Sequence, residues 1–275
     1  MTNEELRLSA ASSYLWRDRS LYIGHILPDI CFTTQSSGFA VFLDAPATIT
    51  HHTTGLKVDA WSVLVKPDQN ITINAHKGRV AALFLDPIGC EYRHLKKFMK
   101  LTFGSLLLGF VEEQHLIQEF KAVLDQRTDQ MMVRTWLDSW LCREKELGTQ
   151  ELKMLAIIKQ IKQHTSENMS CLKIAEDFNM SEVQLMRAFK KCVGIPLRRY
   201  RFWHRLSVAS DYWLRNQCTM ADAAISAGFS DSAHFNRCFK KSLGMPPGFL
   251  LGLDRQVNVY SGKPHISLSK YAGII

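Results

Sequence analysis

The chain spells AFKKCVGIPL at residues 188–197 and CFKKSLGMPP at residues 238–247, the second copy 50 positions after the first. Each copy lies in a stretch whose apolar residues recur at three- and four-residue spacing, as on a helix. On a wheel of 100° per residue, Leu185, Ala188, Phe189 and Cys192 gather on one side of the first stretch. Phe235, Cys238, Phe239 and Ser242 take the matching places in the second. The opposite side carries Val183, Met186, Arg187 and Lys190 in one copy and Ala233, Asn236, Arg237 and Lys240 in the other. These groups suit hydrogen bonding, ion pairing and apolar contact. An arginine can donate two hydrogen bonds to guanine, an asparagine can pair with adenine, and Val or Met can pack on a thymine methyl. Two helices that bury one face and offer a basic, hydrogen-bonding face are the expected parts of a double DNA reader.

The elements that must hold those faces are legible around them. Ser181-Glu182-Val183-Gln184 has the capping-box pattern, Gly194 stops that helix, and Pro196 suits the first turn of the next. The stretch from about 197 to 214 contains no breaker. Thr219 caps an expected helix over 220–227, Gly228 ends it, Asp231 or Ser230 caps 232–243, and Gly244 with Pro246 repeats the stop and restart. Upstream, 151–164 is amphipathic, and CLKIAEDF (171–178) follows Ser170. A short helix, a tight turn and then a helix with such a face is the layout of a helix-turn-helix unit. A linking helix of about 18 residues is roughly 27 Å long. One turn of B-DNA is about 34 Å. One stiff frame can therefore present both helices to successive major grooves.

Charge is divided unevenly. Residues 1–149 hold 16 Lys/Arg against 17 Asp/Glu, whereas residues 150–275 hold 18 against 9, so the excess of +8 lies in the C-terminal part. Taken alone, that charge fits either a polyanionic partner or a solvated basic surface. Length, with 46% hydrophobic and 22% charged residues, suits two soluble domains. The start, MTNEELRLSA, lacks the layout of a secretory signal. The run LTFGSLLLGF (101–110) is too short to span a bilayer and is expected as buried core, so no membrane association is expected. Seven scattered cysteines without a C-x-x-C pair suggest reduced, mostly buried thiols rather than a disulfide framework or a zinc site.

Before residue 87 the texture is different. LYIGHI, FAVFLD, ATITHH, WSVLV, ITINAH and RVAALFLD are short, rich in Val, Ile, Thr and aromatics, and separated by turn formers. They predict strands of an antiparallel barrel or sandwich. Helices are expected over 91–101, 112–126 and 129–147, with Met132, Trp136, Trp140 and Leu147 near one stripe of the last. Leu147-Gly148-Thr149-Gln150 reads as a short linker. The fold class expected is α+β. Residues 1–147 form a small antiparallel β-barrel with helices, residues 151–251 form an all-α domain of two helix-turn-helix units, and 252–275 form a tail with no reading. Trp16, Tyr22, Phe32, Phe39, Phe42, Trp61 and Phe84 would either line a ligand cavity or fill the barrel. His25, His51, His52, His76 and His94 raise a metal question. Adjacent His51 and His52 on a strand would point to opposite faces, and no H-x-H spacing with a following carboxylate is present. No metal, no cofactor and no catalytic residues are expected, and no glycine-rich phosphate loop or nucleophilic triad appears.

The string from Ile174 to Leu214, followed by MADAAISAGFSDSAHFNRCFKKSLGMPP, closely resembles the DNA-binding domain of the AraC/XylS family of bacterial transcription regulators. The Ala-x-x-x-Gly-Phe-Ser-Asp…Phe-x-Arg-x-Phe-Lys-Lys-x-x-Gly-x-Pro element runs almost intact from Ala224 to Pro246. The likeness covers roughly 151–250. It implies that Ser232, Ala233, His234, Asn236 and Arg237 meet base edges and nearby phosphates, with Val183, Met186 and Arg187, and Gln184 beside them, in the first unit. Lys190, Lys191, Lys240 and Lys241 suit phosphates, which give affinity without sequence information. Phe189, Ala209, Phe229 and Phe239 read as core. The family plan, a cupin-like barrel, pairing helices and then this domain, further implies a cytoplasmic bacterial protein. Its expected partners are double-stranded DNA, RNA polymerase, a small-molecule effector and a second copy in a homodimer. The other readings are a regulator with no effector, whose first domain only contacts proteins, and a DNA-tethered metal-dependent enzyme. Two departures stand out. Asn179 occupies the turn of the first unit out of register with Phe229, and the tail runs past the family's usual end.

Overall fold

The structure, a computed structural model, describes residues 11–16, 18–85, 90–141, 148–165, 169–216, 218–250 and 257–261. The N-terminal part is built on eleven strands: β1 (Ala11–Leu15), β2 (Ser20–His25), β3 (Ile30–Thr33), β4 (Gly38–Phe42), β5 (Ala47–His51), β6 (Leu56–Ala60), β7 (Ser62–Val65), β8 (Asn70–Asn74), β9 (Arg79–Phe84), β10 (Met99–Phe103) and β11 (Leu106–Phe110). Between β9 and β10 lie α1 (Cys90–Leu95) and a 3-10 turn over Lys96–Phe98; after β11 come α2 (Glu113–Asp125) and α3 (Gln130–Leu141).

The strands form two antiparallel sheets that pack together without closing into one hydrogen-bonded ring. The small sheet has the order β3-β8-β5-β6, and β10-β11-β7-β4-β9-β2-β1 run side by side in the large one. Because side chains alternate along a strand, each sheet has two distinct faces. Ile49, Ile71 and Ile73 of the small sheet meet Phe42, Val63 and Val80 of the large one in a shared core. The outer face of the large sheet offers Phe39, Val41, Leu64 and Leu83, covered by Leu116, Phe120, Leu137 and Leu141 of α2 and α3. Of the aromatic residues expected in the barrel, Phe39 and Phe42 are fully buried.

Four expectations need correction. The helix read over 91–101 stops early, and Met99–Phe103 joins Leu106–Phe110 in a hairpin. Gly104, at φ +61°, supplies the turn that a continuous helix would forbid. LTFGSLLLGF is thus two strands; Leu106 and Leu108 are buried, but Leu101 is 64% exposed. The buried stripe of α3 is Val133, Leu137 and Leu141, whereas Met132 is 65% exposed; Trp136 and Trp140 flank the stripe, and residue 147 lies outside the described residues. Among the described residues the thiols are not mostly buried: Cys31 is exposed, and Cys171, Cys192, Cys218 and Cys238 are half-exposed.

Beyond Gly148 the elements are α4 (Thr149–Gln163), α5 (Cys171–Asp177), α6 (Glu182–Val193), α7 (Leu197–Asn216), α8 (Met220–Ser226), α9 (Ser232–Leu243) and α10 (Pro247–Leu250). The tail, for which the sequence offers no reading, supplies a twelfth strand, β12 (Val257–Ser261), paired in parallel with β1 at the sheet edge. The helices divide between two cores. Met154, Ile157 and Ile161 of α4 join Ile174, Leu185, Phe189 and Tyr200 in a core of their own. Phe229, Phe235, Phe239 and Phe249 instead belong to the core that runs through the interior of the two sheets.

The two parts meet at matching places. Gly194 and Gly244, the C-caps of α6 and α9, have φ +88° and +76°. A Cβ at Gly194 would stand 3.1 Å from Pro67 Cγ, and one at Gly244 would stand 3.2 Å from Ile30 Cβ and 3.3 Å from Phe32. Arg199 of α7 pairs with Asp68 beside the first contact, and Arg93 pairs with Glu151 of α4 at 2.9 Å. Replacing Gly244 by alanine should cost about 1–2 kcal/mol in left-handed strain, plus the clash with β3. Gly55, at φ +70° with nothing within 4 Å of a Cβ position, gives the strain alone. Urea midpoints should therefore fall further for Gly244→Ala than for Gly55→Ala; equal shifts would remove the contact with β3 as a source of stability.

Candidate nucleic-acid interface

Both candidate reading helices begin with a built cap. Ser181 Oγ accepts from the Gln184 backbone N–H at 3.2 Å, and Gln184 Oε1 accepts from the Ser181 N–H at 2.9 Å. In the second unit Asp231 Oδ1 accepts from the His234 N–H at 2.6 Å. That bond, with one from Ser230, holds the Asp231 carboxyl below its ordinary pKa. Ser170 and Thr219 cap α5 and α8 in the same way. These bonds satisfy donors that the first turn of a helix leaves open.

The caps also explain the irregular repeat. Ser170 and Thr219 differ by 49 positions, whereas Ser181 and Asp231 differ by 50. The extra residue falls in the turn. Asn179 takes φ +50° two residues before its cap, and Gly228 takes φ +82° three residues before the second cap. Asparagine tolerates the left-handed region well enough to do without glycine.

Burial separates the two faces as the wheel predicts. Leu185, Phe189, Phe235 and Phe239 are buried, as are Ala209 and Phe229. Val183 is 51% exposed and Met186 44% exposed, with Gln184, Arg187, Lys190 and Lys191 exposed beside them. In α9, Ala233, Arg237, Lys240 and Lys241 are exposed, while Ser232, His234 and Asn236 are half-buried. Val183 and Met186, on a helix that already buries its other face, thus leave much of their apolar surface to solvent. The lysines of each last turn also sit favourably at the negative end of the helix dipole.

Three of the sequence candidates are partly engaged inside the protein. Gln184 has its carbonyl committed to the cap, leaving the amide nitrogen for other partners. His234 has Nδ1 3.1 Å from Ser230 Oγ and its ring edge-on to Phe229 at 5.5 Å. Asn236 turns Nδ2 towards Met220 Sδ at 3.4 Å, so pairing with a base requires its amide to swing out. Sequence reasoning missed Arg205 of α7. Its guanidinium lies 6.0 Å from the centroid of the Phe229 ring and beside Gly228, which braces the turn of the second unit. Burial, and then the charge of nearby Arg201, pulls its pKa below the ordinary arginine value.

The histidines of the N-terminal part are dispersed. His51 points inward, with Nε2 2.9 Å from Gln69 Oε1 and 3.0 Å from Ser105 Oγ. His52 points outward to Thr72 Oγ1 at 2.7 Å, as opposite faces of a strand require. His25 contacts the Lys77 carbonyl, His76 contacts Thr48, and His94 packs on Phe98. Among the described residues, no three His, Cys, Asp or Glu side chains gather in a way that could hold a metal ion, and no helix is long and apolar enough to cross a membrane.

Residues 148–250 thus form a tandem pair of helix-turn-helix units carried by one continuous linking helix. Residues 174–251 match the profile of a family described as a helix-turn-helix domain. The chain is 28% identical over 101 residues to the HTH-type transcriptional regulator GbdR of Pseudomonas aeruginosa, covering 37% of this chain and 28% of that one. It is 25% identical over 104 residues to the transcriptional activator RhaS of Escherichia coli, covering 38% and 37%. The chain therefore matches only about a third of the length of these relatives. The whole fold is similar to crystal structures of ToxT from Vibrio cholerae. A ToxT variant without ligand aligns with TM-score 0.57 at 12% identity over 85% of this chain and 98% of that one. ToxT with a bound unsaturated fatty acid aligns with TM-score 0.54 at 12% identity over 90% and 96%.

The Ser181 cap offers a direct check on how far the first exposed face depends on its helix start. Ser181→Ala should lower stability by about 1 kcal/mol, read as a shift in the urea midpoint at unchanged slope. No shift would mean that water replaces the hydroxyl at no cost.

Proposed function

We propose that the chain is a sequence-specific, DNA-binding transcription regulator of the AraC type. The observation that carries this reading is the pair of capped helices whose exposed faces match while their opposite faces are sealed. In this reading Arg187 and Arg237 donate to guanine, Val183 and Met186 pack on thymine methyls, and Gln184, Ser232, Ala233, His234 and Asn236 complete the base contacts. Lys190, Lys191, Lys240 and Lys241 neutralise phosphates. The N-terminal domain adjusts how the two units are held, through a small effector or by pairing two subunits, and so changes promoter occupancy or contact with RNA polymerase. The fatty acid held by ToxT, whose fold is similar, supports an apolar effector class. The protein acts in the bacterial cytoplasm and catalyses no reaction.

The deciding experiment selects fragments of genomic DNA with the purified protein. A recovered motif with two half-sites about one duplex turn apart is expected; fragments without a common motif would sink the reading. On that motif, Arg237→Ala should weaken binding by about 1–3 kcal/mol and relax preference at one base pair. Unchanged affinity would move the base contact elsewhere. Lys240→Ala should weaken binding to all sequences alike and reduce the magnitude of the slope of log affinity against log salt by about 0.9. A loss confined to the selected motif would instead make Lys240 a base reader.

A further inference from the structure

The edge of the large sheet at β1 is not bare. β12, which follows the DNA-binding part in sequence, lies along it in parallel, from Ala11 opposite Val257 to Leu15 opposite Ser261. The contact is more than a backbone ladder. The Tyr260 ring stacks on Tyr14, with centroids 4.6 Å apart and planes 5° from parallel. Tyr14 is fully buried, and Trp16 stacks on it as well, at 5.8 Å. Both phenols donate to the turn between α2 and α3: Tyr14 to the Thr128 carbonyl at 2.9 Å, and Tyr260 to the Arg127 carbonyl at 3.2 Å. Gln130 then donates from Nε2 to the carbonyls of Leu15 and Tyr260, both at 3.0 Å, so one amide joins the two strands. Burial, and then the neighbouring Tyr260, raise the Tyr14 pKa far above the usual tyrosine value.

A row of backbone groups, a buried aromatic platform and a carboxamide set to meet an incoming carbonyl are the parts of a site that accepts an added strand. The strand that fills it is only five residues long, and a strand of that length gains little from its ladder alone. Among its described side chains, Tyr260 makes the stacking and hydrogen-bond contacts to the site. We propose that β1, Tyr14 and residues 127–130 form a docking site for an extended, tyrosine-bearing peptide, occupied in cis by the chain's own residues 257–261 as a displaceable strap. Because β12 also touches α7, occupancy of the site ties the linking helix of the DNA-binding part to the sheet. This inference stands on the geometry of β1 and β12 and not on the DNA-binding reading.

The test uses the full chain and a fluorescent peptide of residues 255–263, RQVNVYSGK. Successive N–H groups of a strand point to opposite sides, so Asn258→Pro with Val259→Pro removes a donor facing β1 whichever residue supplies it. Emptied of its strap, this variant should bind the peptide about tenfold or more tightly than the unchanged protein, where the tethered copy competes at high effective concentration. Tyr260→Ala, which keeps every backbone donor, should also bind it more tightly than the unchanged protein. A peptide with alanine in place of tyrosine should lose the binding. Folded variants that bind no better than the unchanged protein, or an alanine peptide that binds equally well, would overturn the proposal. Concentration-dependent dimers of the unchanged protein that vanish in the double-proline variant would also overturn it, by placing the strand in a second copy.

Discussion

Sealing one side of each capped helix is the constraint on which the rest depends. Phe189 and Phe239 are buried, one in a core built from α4, α5 and α7, the other in a core shared with the sheets. A helix whose apolar face is fixed in this way cannot roll without opening a cavity, and cavities of that size are costly. The direction of the opposite face is therefore set by packing, and the charged residues on it need only be long and soluble. Continuity of α7 then transmits the orientation of one unit to the other. At about 1.5 Å per residue, its 20 residues form a rod of about 30 Å. The spacing between the two exposed faces follows from helix geometry and not from any contact between them.

What the sequence discloses and what it hides divide along the range of the interactions. Caps, left-handed glycines and amphipathic faces are decided within a few residues, and Ser181, Thr219, Asp231, Gly194 and Gly244 all stand where local rules put them. The exposed faces of α6 and α9 follow from the same periodicity. Pairing between strands is decided at a distance, and there the sequence is nearly silent. Residues 257–261 carry no alternation or turn signal that names a partner some 245 positions away, yet they lie in register on β1. The hairpin of β10 and β11 was hidden by leucines whose spacing suits either a helix or two strands, and only Gly104 separates those readings. Within those faces, the internal hydrogen bonds of Gln184, His234 and Asn236 depend on neighbours that a wheel does not contain. Arg205 escaped notice for the same reason, since its role comes from the Phe229 ring and the Gly228 turn on another helix.

Near-identical units in one chain need not be equally coupled to the rest of it. The first unit closes a core of its own, and it meets the sheets through Pro67 against Gly194 and through the half-exposed pair of Asp68 and Arg199. An exposed ion pair of this kind contributes little and weakens with salt. The second unit has no separate core. Its phenylalanines are continuous with the interior residues of both sheets, by way of Ile30, Phe32 and Met245. A change in the packing between the sheets therefore reaches α9 through close-packed apolar contacts, which transmit displacement because they leave no slack. Among the described contacts, it reaches the first unit through α7, through Pro67 against Gly194, and through the ion pairs of Asp68 with Arg199 and Arg93 with Glu151. The contacts at Gly194 and Gly244 fall at the C-terminal ends of α6 and α9, away from the capped ends where the exposed residues begin. Rigid helices pushed at one end swing at the other, so rearrangement of the sheets would re-aim the second face relative to the first without altering the chemistry of either.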